Sequence, residues 1–166
     1  MSNRVTYRGP DLPVLHEEYA KKHRIDALAP IHGRREILVN APVRRVWQIL
    51  SDVPTWADTV EPGVKNIRLE HGVRVDAPFR RSSNGARMNA RFAVLHEDRE
   101  IAWTGSAFGA KAVHRFLLDA VDEKTTRVVV EESMAGPLLG LYFNIAKLTA
   151  LLEASLHNLK TAAERP

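Results

Sequence analysis

Two helix-forming segments frame this chain, and a long stretch between them alternates in the manner of β-strands. The first segment runs from Pro42 to Leu50, with its apolar residues on one face. The second follows Gly136-Pro137 and repeats apolar residues every three or four positions to about Glu164. No other long helical pattern lies between the two. This order predicts an α+β fold in which a sheet wraps around one long terminal helix and leaves a cavity between them.

Seven strand-like runs supply the sheet. Short polar connections, among them His71-Gly72 and Asn84-Gly85, separate many of the successive runs and indicate tight turns. Connections this short require antiparallel neighbours. The predicted strands are Arg34–Asn40, Val64–Glu70, Val73–Arg81, Ala86–Glu97, Ile101–Phe108, Val113–Val121 and Thr126–Ala135.

Composition excludes several classes of protein. No apolar run approaches the roughly 18 residues of a membrane span, and no secretory h-region follows Met1, so we expect no membrane insertion. The chain has no cysteine, which excludes disulfides and thiolate metal sites and fits a cytoplasmic protein. The net charge of +4 comes from basic residues scattered along the sequence. We therefore attribute it to solubility and expect no DNA partner.

Residues 1–33 precede the strand pattern as an N-terminal extension, and residues 34–166 form the main domain. Asp11 and Pro13 suit the start of a helix that continues at helical spacing to about Arg24. We expect this helix to pack on the outside of the domain. A lid over the cavity and an arm that forms a homodimer are alternatives.

Several short motifs occur in the order in which one protein superfamily carries them. They are Ala41-Pro42 followed by Val46-Trp47, Leu50, Asp52 and Trp56; Trp103-Thr104-Gly105; His114-Arg115-Phe116; Thr125-Thr126-Arg127-Val128; Glu131-Glu132 followed by Gly136; and the terminal helix. Through these motifs the chain from about Arg34 to Glu164 resembles the START superfamily, also called SRPBCC. The subgroup that it resembles is that of bacterial polyketide cyclase/dehydrase-like proteins.

This resemblance implies a helix-grip fold. In that fold a seven-stranded antiparallel sheet wraps around a long C-terminal helix, with short helices between strands 1 and 2. The resemblance also implies a cavity that holds a lipid, a polyketide or a quinone-like molecule. Members of the superfamily include carriers, receptors, cyclases and ribosome-associated proteins, so the resemblance leaves the function open.

Strand alternation indicates which side chains face the cavity. On the sixth strand, Arg115 should face solvent while His114 and Phe116 face the helix. The same reasoning on the other strands, together with the predicted stripe of the terminal helix, gives a mostly apolar wall. Its candidate ligand-binding residues are Arg81, Phe79, Met88, Phe92, Trp103, Phe116, Met134, Tyr142 and Ile145. Trp56 is a further candidate, which would either cap the cavity mouth or pack in the core.

Three polar residues stand out among these inward positions. A hairpin between the sixth and seventh strands places His114 opposite Glu132 or one step diagonal from it. An imidazole beside a carboxylate in an apolar cavity is suited to acid–base catalysis, and Arg81 could neutralise a bound anion. The alternatives are a structural hydrogen bond between His114 and Glu132 and a solvated Arg81 at its strand end.

We therefore predict a protein that binds a small hydrophobic or aromatic ligand. A polyketide cyclase or dehydratase, with His114 as base and Glu132 orienting it, is the first alternative. A ribosome- or RNA-associated protein is the second. The histidines outside the cavity show no metal-ligand spacing, and no Gly-rich phosphate loop occurs, so we expect neither a metal nor a cofactor.

Overall fold

A seven-stranded antiparallel sheet is the main element of the computed structural model, which describes residues 6–166. The strands are β1 Ile31–Val39, β2 Val64–Leu69, β3 Pro78–Ser83, β4 Ala86–His96, β5 Glu100–Ala107, β6 Ala110–Asp122 and β7 Thr125–Ala135. Their order is β1-β7-β6-β5-β4-β3-β2. Every neighbouring pair except β1 and β7 is consecutive in the chain, which confirms the predicted antiparallel meander.

Five α-helices accompany the sheet within the described residues: α1 Leu12–Val14, α2 Val43–Ser51, α3 Trp56–Thr59, α4 Leu139–Tyr142 and α5 Ile145–Ala163. The 19 residues of α5 cover about 28 Å at the usual helical rise. This helix packs against the inner face of the sheet, chiefly on β1, and the short helices α2 and α3 lie between β1 and β2. The predicted helix-grip fold is therefore confirmed. None of the helices in residues 6–166 is long and apolar enough to cross a membrane.

An aromatic cluster fills the core beneath α3. Trp56, Phe79, Phe92 and Phe116 are all fully buried. The rings of Phe79 and Phe92 stack with centroids 4.3 Å apart, and the indole Nε1 of Trp56 donates to the carbonyl of Leu50 at 3.0 Å. Removing each such ring from water contributes about 2 kcal/mol. These four residues therefore stabilise the fold at one end of the sheet.

The predicted single helix from residue 138 to 164 is wrong at its start. The chain forms α4, leaves helical geometry at Phe143 and begins α5 after Asn144, whose side chain accepts from the amide of Lys147 at 2.8 Å. This cap satisfies one of the free amides of the first turn. The break shifts the helical phase, so Tyr142 and Ile145 are 43% and 47% exposed instead of lying on the buried stripe.

The predicted third strand is also wrong in its first half. Residues 70–77 form a loop, and β3 begins only at Pro78. Within this loop Gly72 and Asp76 adopt the left-handed conformation, with φ of 71° and 66°, which lies outside the extended region of a regular strand. Val75, which the predicted strand would place on the same face as Phe79 and Arg81, is 49% exposed as a result.

The segment before β1 lies on the outer face of the sheet. After α1 it continues through a π-helical turn, Leu15–Tyr19, and a 3-10 turn, Ala20–Lys22. Its buried apolar residues pack against Ala93, Val94, Ala102 and Val113 of the sheet.

Polar contacts also join this segment to the sheet. His23 Nδ1 lies 2.7 Å from the carboxylate of Glu100, which accepts from Arg115 at 2.8 Å. Arg115 also donates to Glu131 at 2.8 Å. The expectation that Arg115 faces solvent is therefore wrong: it points to the outer face, but it is buried there within a charged network.

Candidate functional site

A cavity of about 580 Å³ lies between the inner face of the sheet and the C-terminal helices. Alternate residues of β3 to β7 form one wall, and residues of α4 and α5 form the other. Its volume is within the range of sites that hold drug-sized molecules. Most of the wall is apolar, and the few polar side chains therefore determine what the cavity can recognise.

His114 and Glu132 face each other across β6 and β7 in this wall. The register pairs the two residues directly, and His114 Nδ1 lies 2.9 Å from the Oε2 atom of Glu132. The imidazole also stacks on the indole of Trp103, with centroids 4.4 Å apart and an angle of 13° between the rings. The carboxylate and the indole together fix the position of the ring.

The second nitrogen of the imidazole is the unusual feature of this pair. His114 Nε2 is buried and has no hydrogen-bond partner among residues 6–166. When His114 is neutral, a proton on Nδ1 donates to Glu132 and leaves a lone pair on Nε2. A buried acceptor without a donor is costly in a folded protein, and a functional role is one reason for such an atom to be retained.

Arg81 has a partner inside the cavity wall. Its guanidinium forms an ion pair with Glu61, from the segment between α3 and β2, and both residues line the cavity. The guanidinium carbon lies 5.8 Å from the ring centroid of Trp103 and 5.9 Å from that of Trp56. The cation is therefore balanced within the protein itself.

The structure brings together seven of the residues predicted for the site. The members of this group line the cavity: Arg81, Met88, Trp103, His114, Glu132, Met134 and Tyr142. Five others do not line it. Phe79, Phe92, Phe116 and Trp56 belong to the buried aromatic core, and Ile145 lies on the exposed side of α5. Strand alternation assigns Phe79, Phe92 and Phe116 to the inner face, but it does not show which part of that face is filled. Trp56 belongs to α3 and is fully buried, so of its two expected positions, mouth cap or buried packing, it takes the second.

Sequence reasoning missed the residues around the mouth of the cavity. Phe108 lies in the two-residue turn between β5 and β6, where it and Gly109 both have positive φ, as in a type I′ hairpin turn. This turn places the 73%-exposed Phe108 ring against Tyr142, with centroids 6.4 Å apart. Lys147 lines the same region and donates to the carbonyl of Tyr142 at 2.9 Å. The dipeptide Phe108-Gly109, an aromatic residue before a glycine between two strand-like runs, was the sequence signal that could have identified this turn.

One cluster of metal-type side chains occurs in the described part of the chain, outside the cavity. Donor atoms of His16, Glu17 and Asp76 lie within 4.8 Å of one another. Lys21 is 2.9 Å from both carboxylates, and its hydrogen bond lowers the pKa of Asp76, with His16 contributing. His16 also contacts Thr104 Oγ1 at 2.8 Å. An ammonium group therefore already supplies the positive charge at this cluster.

Comparison with known proteins places this geometry in a family. The family described as polyketide cyclase / dehydrase and lipid transport matches residues 30–164. This chain belongs to that family. Family membership supports a ligand-binding or cyclase role for the cavity. The comparison with curated proteins found no significant match.

Solved structures share the fold at low sequence identity. A hypothetical protein from Helicobacter pylori has a TM-score of 0.74 at 18% identity, over 96% of this chain and 98% of its own. The ZhuI aromatase/cyclase from a Streptomyces species has a TM-score of 0.61 at 20% identity, over 81% and 93%. A START superfamily protein from Mycobacterium smegmatis has a TM-score of 0.61 at 16% identity, over 80% and 94%. The match to the H. pylori protein extends into the N-terminal segment on the outer face of the sheet.

Proposed function

We propose that this family member binds a small, neutral, hydroxyl-bearing aromatic or hydrophobic molecule in the cavity between the sheet and α5. The buried, unpartnered Nε2 of His114 is the observation that carries the proposal. A ligand hydroxyl that donates to this atom would supply its missing partner. Because Nε2 is enclosed by its neighbours, the contact requires a small shift of the wall side chains.

The charge of the cavity wall supports a neutral ligand. Arg81 is balanced by Glu61, and Glu132 accepts from His114. Lys147 is an uncompensated cation near the mouth, since its ammonium group contacts only a carbonyl among residues 6–166. An anionic ligand would therefore meet no free cation deep in the cavity. The absence of cysteine is consistent with action in the cytoplasm.

Native mass spectrometry of the purified protein, followed by organic extraction, is the first test. A retained small molecule would reveal its chemical class directly, and the same spectrum would give the oligomeric state. For a defined ligand, binding of 1-naphthol should be compared with binding of its methyl ether, which cannot donate a hydrogen bond.

We expect the wild-type protein to prefer 1-naphthol, and the H114F variant to lose that preference, with about a fivefold to tenfold loss of naphthol affinity. The A112W variant places a large ring in the cavity wall and should abolish binding of both compounds while the circular dichroism spectrum is retained. The proposal would be contradicted if A112W bound the two compounds as tightly as the wild-type protein does. It would also be contradicted if H114F still preferred 1-naphthol to its methyl ether.

A cyclase is the second candidate, and the 2.9 Å contact between His114 and Glu132 favours it. In this reaction Nε2 of His114 removes a proton from a carbon next to a carbonyl, and the carbanion adds to a second carbonyl of the same chain. The alkoxide takes a proton, and loss of water follows. Glu132 would position the imidazole and stabilise its charged form.

A linear poly-β-keto thioester is the substrate for testing this candidate. Mass spectrometry should detect a product lighter by one water, and H114A should abolish its formation. The E132Q variant retains an acceptor for Nδ1 but not its negative charge, so it should lower kcat with little change in KM. An unchanged rate in H114A would exclude this mechanism.

A further inference from the structure

Five exposed cationic side chains share the outer face of the sheet at its β2 edge. We call this surface the basic face, and its members are Lys65, Arg68, Arg80, Arg87 and Arg91. Cross-strand register places Arg68 beside Arg80, and places Ser82 beside both Lys65 and Arg87. Arg81 and Met88, the residues next to these in sequence, point the opposite way and line the cavity. The basic face is therefore separate from the cavity.

A β-bulge creates part of this surface. Lys65 and Arg68 are an odd number of residues apart, so a regular strand would direct them to opposite faces of the sheet. The register of β2 shifts between them, where Asn66 takes the left-handed conformation with φ of 54°. The extra residue turns both side chains to the same face. Cations that are scattered in the sequence are thus gathered by the fold.

The basic face carries most of the net charge of the protein. Within residues 6–166, Glu70 lies 3.7 Å from Arg80, and Asp76 interacts electrostatically with Arg91. The chain has 24 Lys and Arg against 20 Asp and Glu. Taking away the five cations and these two carboxylates leaves 19 basic and 18 acidic side chains. The rest of the molecule is nearly balanced, so most of the excess positive charge lies on this face.

We propose that the basic face binds the phosphodiester backbone of a double-stranded nucleic acid. Four of its five cations are arginines, whose planar guanidinium groups donate two parallel hydrogen bonds to a phosphate. Arg87 and Arg91 are separated by about 13 Å along β4, and the three strands span about 10 Å across. Asn89, on the same face, adds a neutral hydrogen-bonding group, whereas the Ser82 hydroxyl is engaged by Lys65 and Asn66.

The composition of the face favours a duplex over other polyanions. Single-stranded nucleic acids are usually held by stacking on aromatic side chains, and no aromatic residue pairs into the outward positions of β2, β3 and β4 that carry the five cations. Peripheral membrane binding combines cations with apolar side chains that enter the bilayer. Here the other outward residues at these positions are Pro78, Ser82 and Asn89. A backbone of regularly spaced phosphates fits this surface best.

Fluorescence anisotropy with a labelled RNA duplex and a DNA duplex of the same sequence tests the proposal on the full chain. Each phosphate neutralised contributes about −0.9 to the slope of log affinity against log salt, so five contacts predict a slope of about −4.5. Binding of both duplexes would indicate recognition of the phosphate backbone alone. Binding of the RNA duplex alone would indicate that the protein also recognises the A-form helix or the 2′-hydroxyl groups.

The decisive variant is R68Q/R80Q/R87Q, which removes three exposed cations from the basic face. It should weaken binding at least tenfold at low salt and reduce the salt slope by about 3. The matched control is R34Q/R44Q/R127Q, which changes the net charge equally at exposed positions away from the basic face. An equal loss in the control would show unspecific attraction to a cationic protein and overturn the proposal.

Two further outcomes would also overturn it. One is the absence of duplex binding by the wild-type protein at low salt. The other is binding to phosphatidylserine vesicles that depends on the same three arginines while the duplexes are not bound. Because naphthol binding in the cavity is measured independently, neither outcome bears on the proposed ligand site.

Discussion

Arg81 and Glu61 form an ion pair within the cavity wall, with side chains that are only 9% and 19% exposed. An arginine side chain in a protein carries a permanent positive charge. Glu61 is therefore the group that keeps this part of the wall neutral. A pair this far removed from water depends strongly on both members, since one buried charge without its partner is costly.

The E61Q variant should be less stable than the wild-type protein by about 2 kcal/mol, because Arg81 stays buried and loses its counter-charge. Urea unfolding followed by tryptophan fluorescence measures this difference. The control is E153Q, which removes an exposed ion pair with Arg35 and should cost less than about 0.5 kcal/mol. Equal effects of the two substitutions would show that burial of the Arg81 pair contributes nothing.

Gly136 allows the chain to pass close to β6 as it leaves the sheet. A Cβ atom at this position would lie 2.6 Å from Ala110 Cα and 2.8 Å from the carbonyl oxygen of Gly109. Both contacts are with main chain, which cannot move aside as a flexible side chain can. We expect G136A to lower the free energy of unfolding by about 2 kcal/mol.

Gly140 offers a matched control for this substitution. A Cβ atom there meets nothing within 4 Å, and the residue lies in α4. The G140A variant should be neutral or more stable by up to about 1 kcal/mol, since alanine is the better helix former. If G136A is as stable as G140A, the close approach to β6 imposes no constraint.

The pairing of His114 with Glu132 shows what strand alternation can establish. At the turn, Asp122 pairs with Thr125, and continuing that register would place His114 opposite Ser133, which faces the other side of the sheet. An irregularity between Ala120 and Asp122 shifts the register by one residue. Matching buried face to buried face predicts the correct partner, because a slip of one residue would turn every side chain over.

Features that depend on irregular backbone could not be predicted in the same way. The partner of Arg81 comes from the segment before β2, whose position no periodicity defines. The basic face depends on the bulge at Asn66, and the open end of the cavity depends on where α4 stops. Periodic patterns describe regular elements, whereas these features arise where regular geometry ends.

The start of α5 is also a place where regular geometry changes, but here the sequence carries a signal, the capping residue Asn144. Asn144 caps the helix through the amide of Lys147, and asparagine is among the preferred residues at this position. The N144A variant should lose about 1 kcal/mol of stability. The N144D variant should retain it, because a carboxylate accepts the same bond and interacts favourably with the helix dipole. Unfolding in urea compares the three proteins, and equal stability of N144A and the wild type would contradict this role.

Tyr7 provides a measurable reporter of how the N-terminal segment is held. Its hydroxyl donates to Asp26 at 2.8 Å, and burial together with this hydrogen bond raises the pKa of Tyr7 to about 12. An unfolded tyrosine ionises near a pKa of about 10. The folded state therefore disfavours ionisation, so the contribution of Tyr7 to stability is complete below pH 10 and is lost as the pH rises toward its folded pKa.

The chain has three tyrosines. Absorbance of tyrosinate, recorded as the pH is raised, should resolve the ionisation of Tyr7 from those of the other two. The Y7F variant should lack the transition near pH 12, whereas Y19F should retain it. Removing the carboxylate with D26N should return the pKa of Tyr7 toward its ordinary value without removing the transition. If Y7F leaves the high-pH transition in place, Tyr7 is not held by Asp26 in solution. The N-terminal segment would then be held on the sheet by its buried apolar residues and by contacts such as that of His23 with Glu100, without the Tyr7 hydrogen bond.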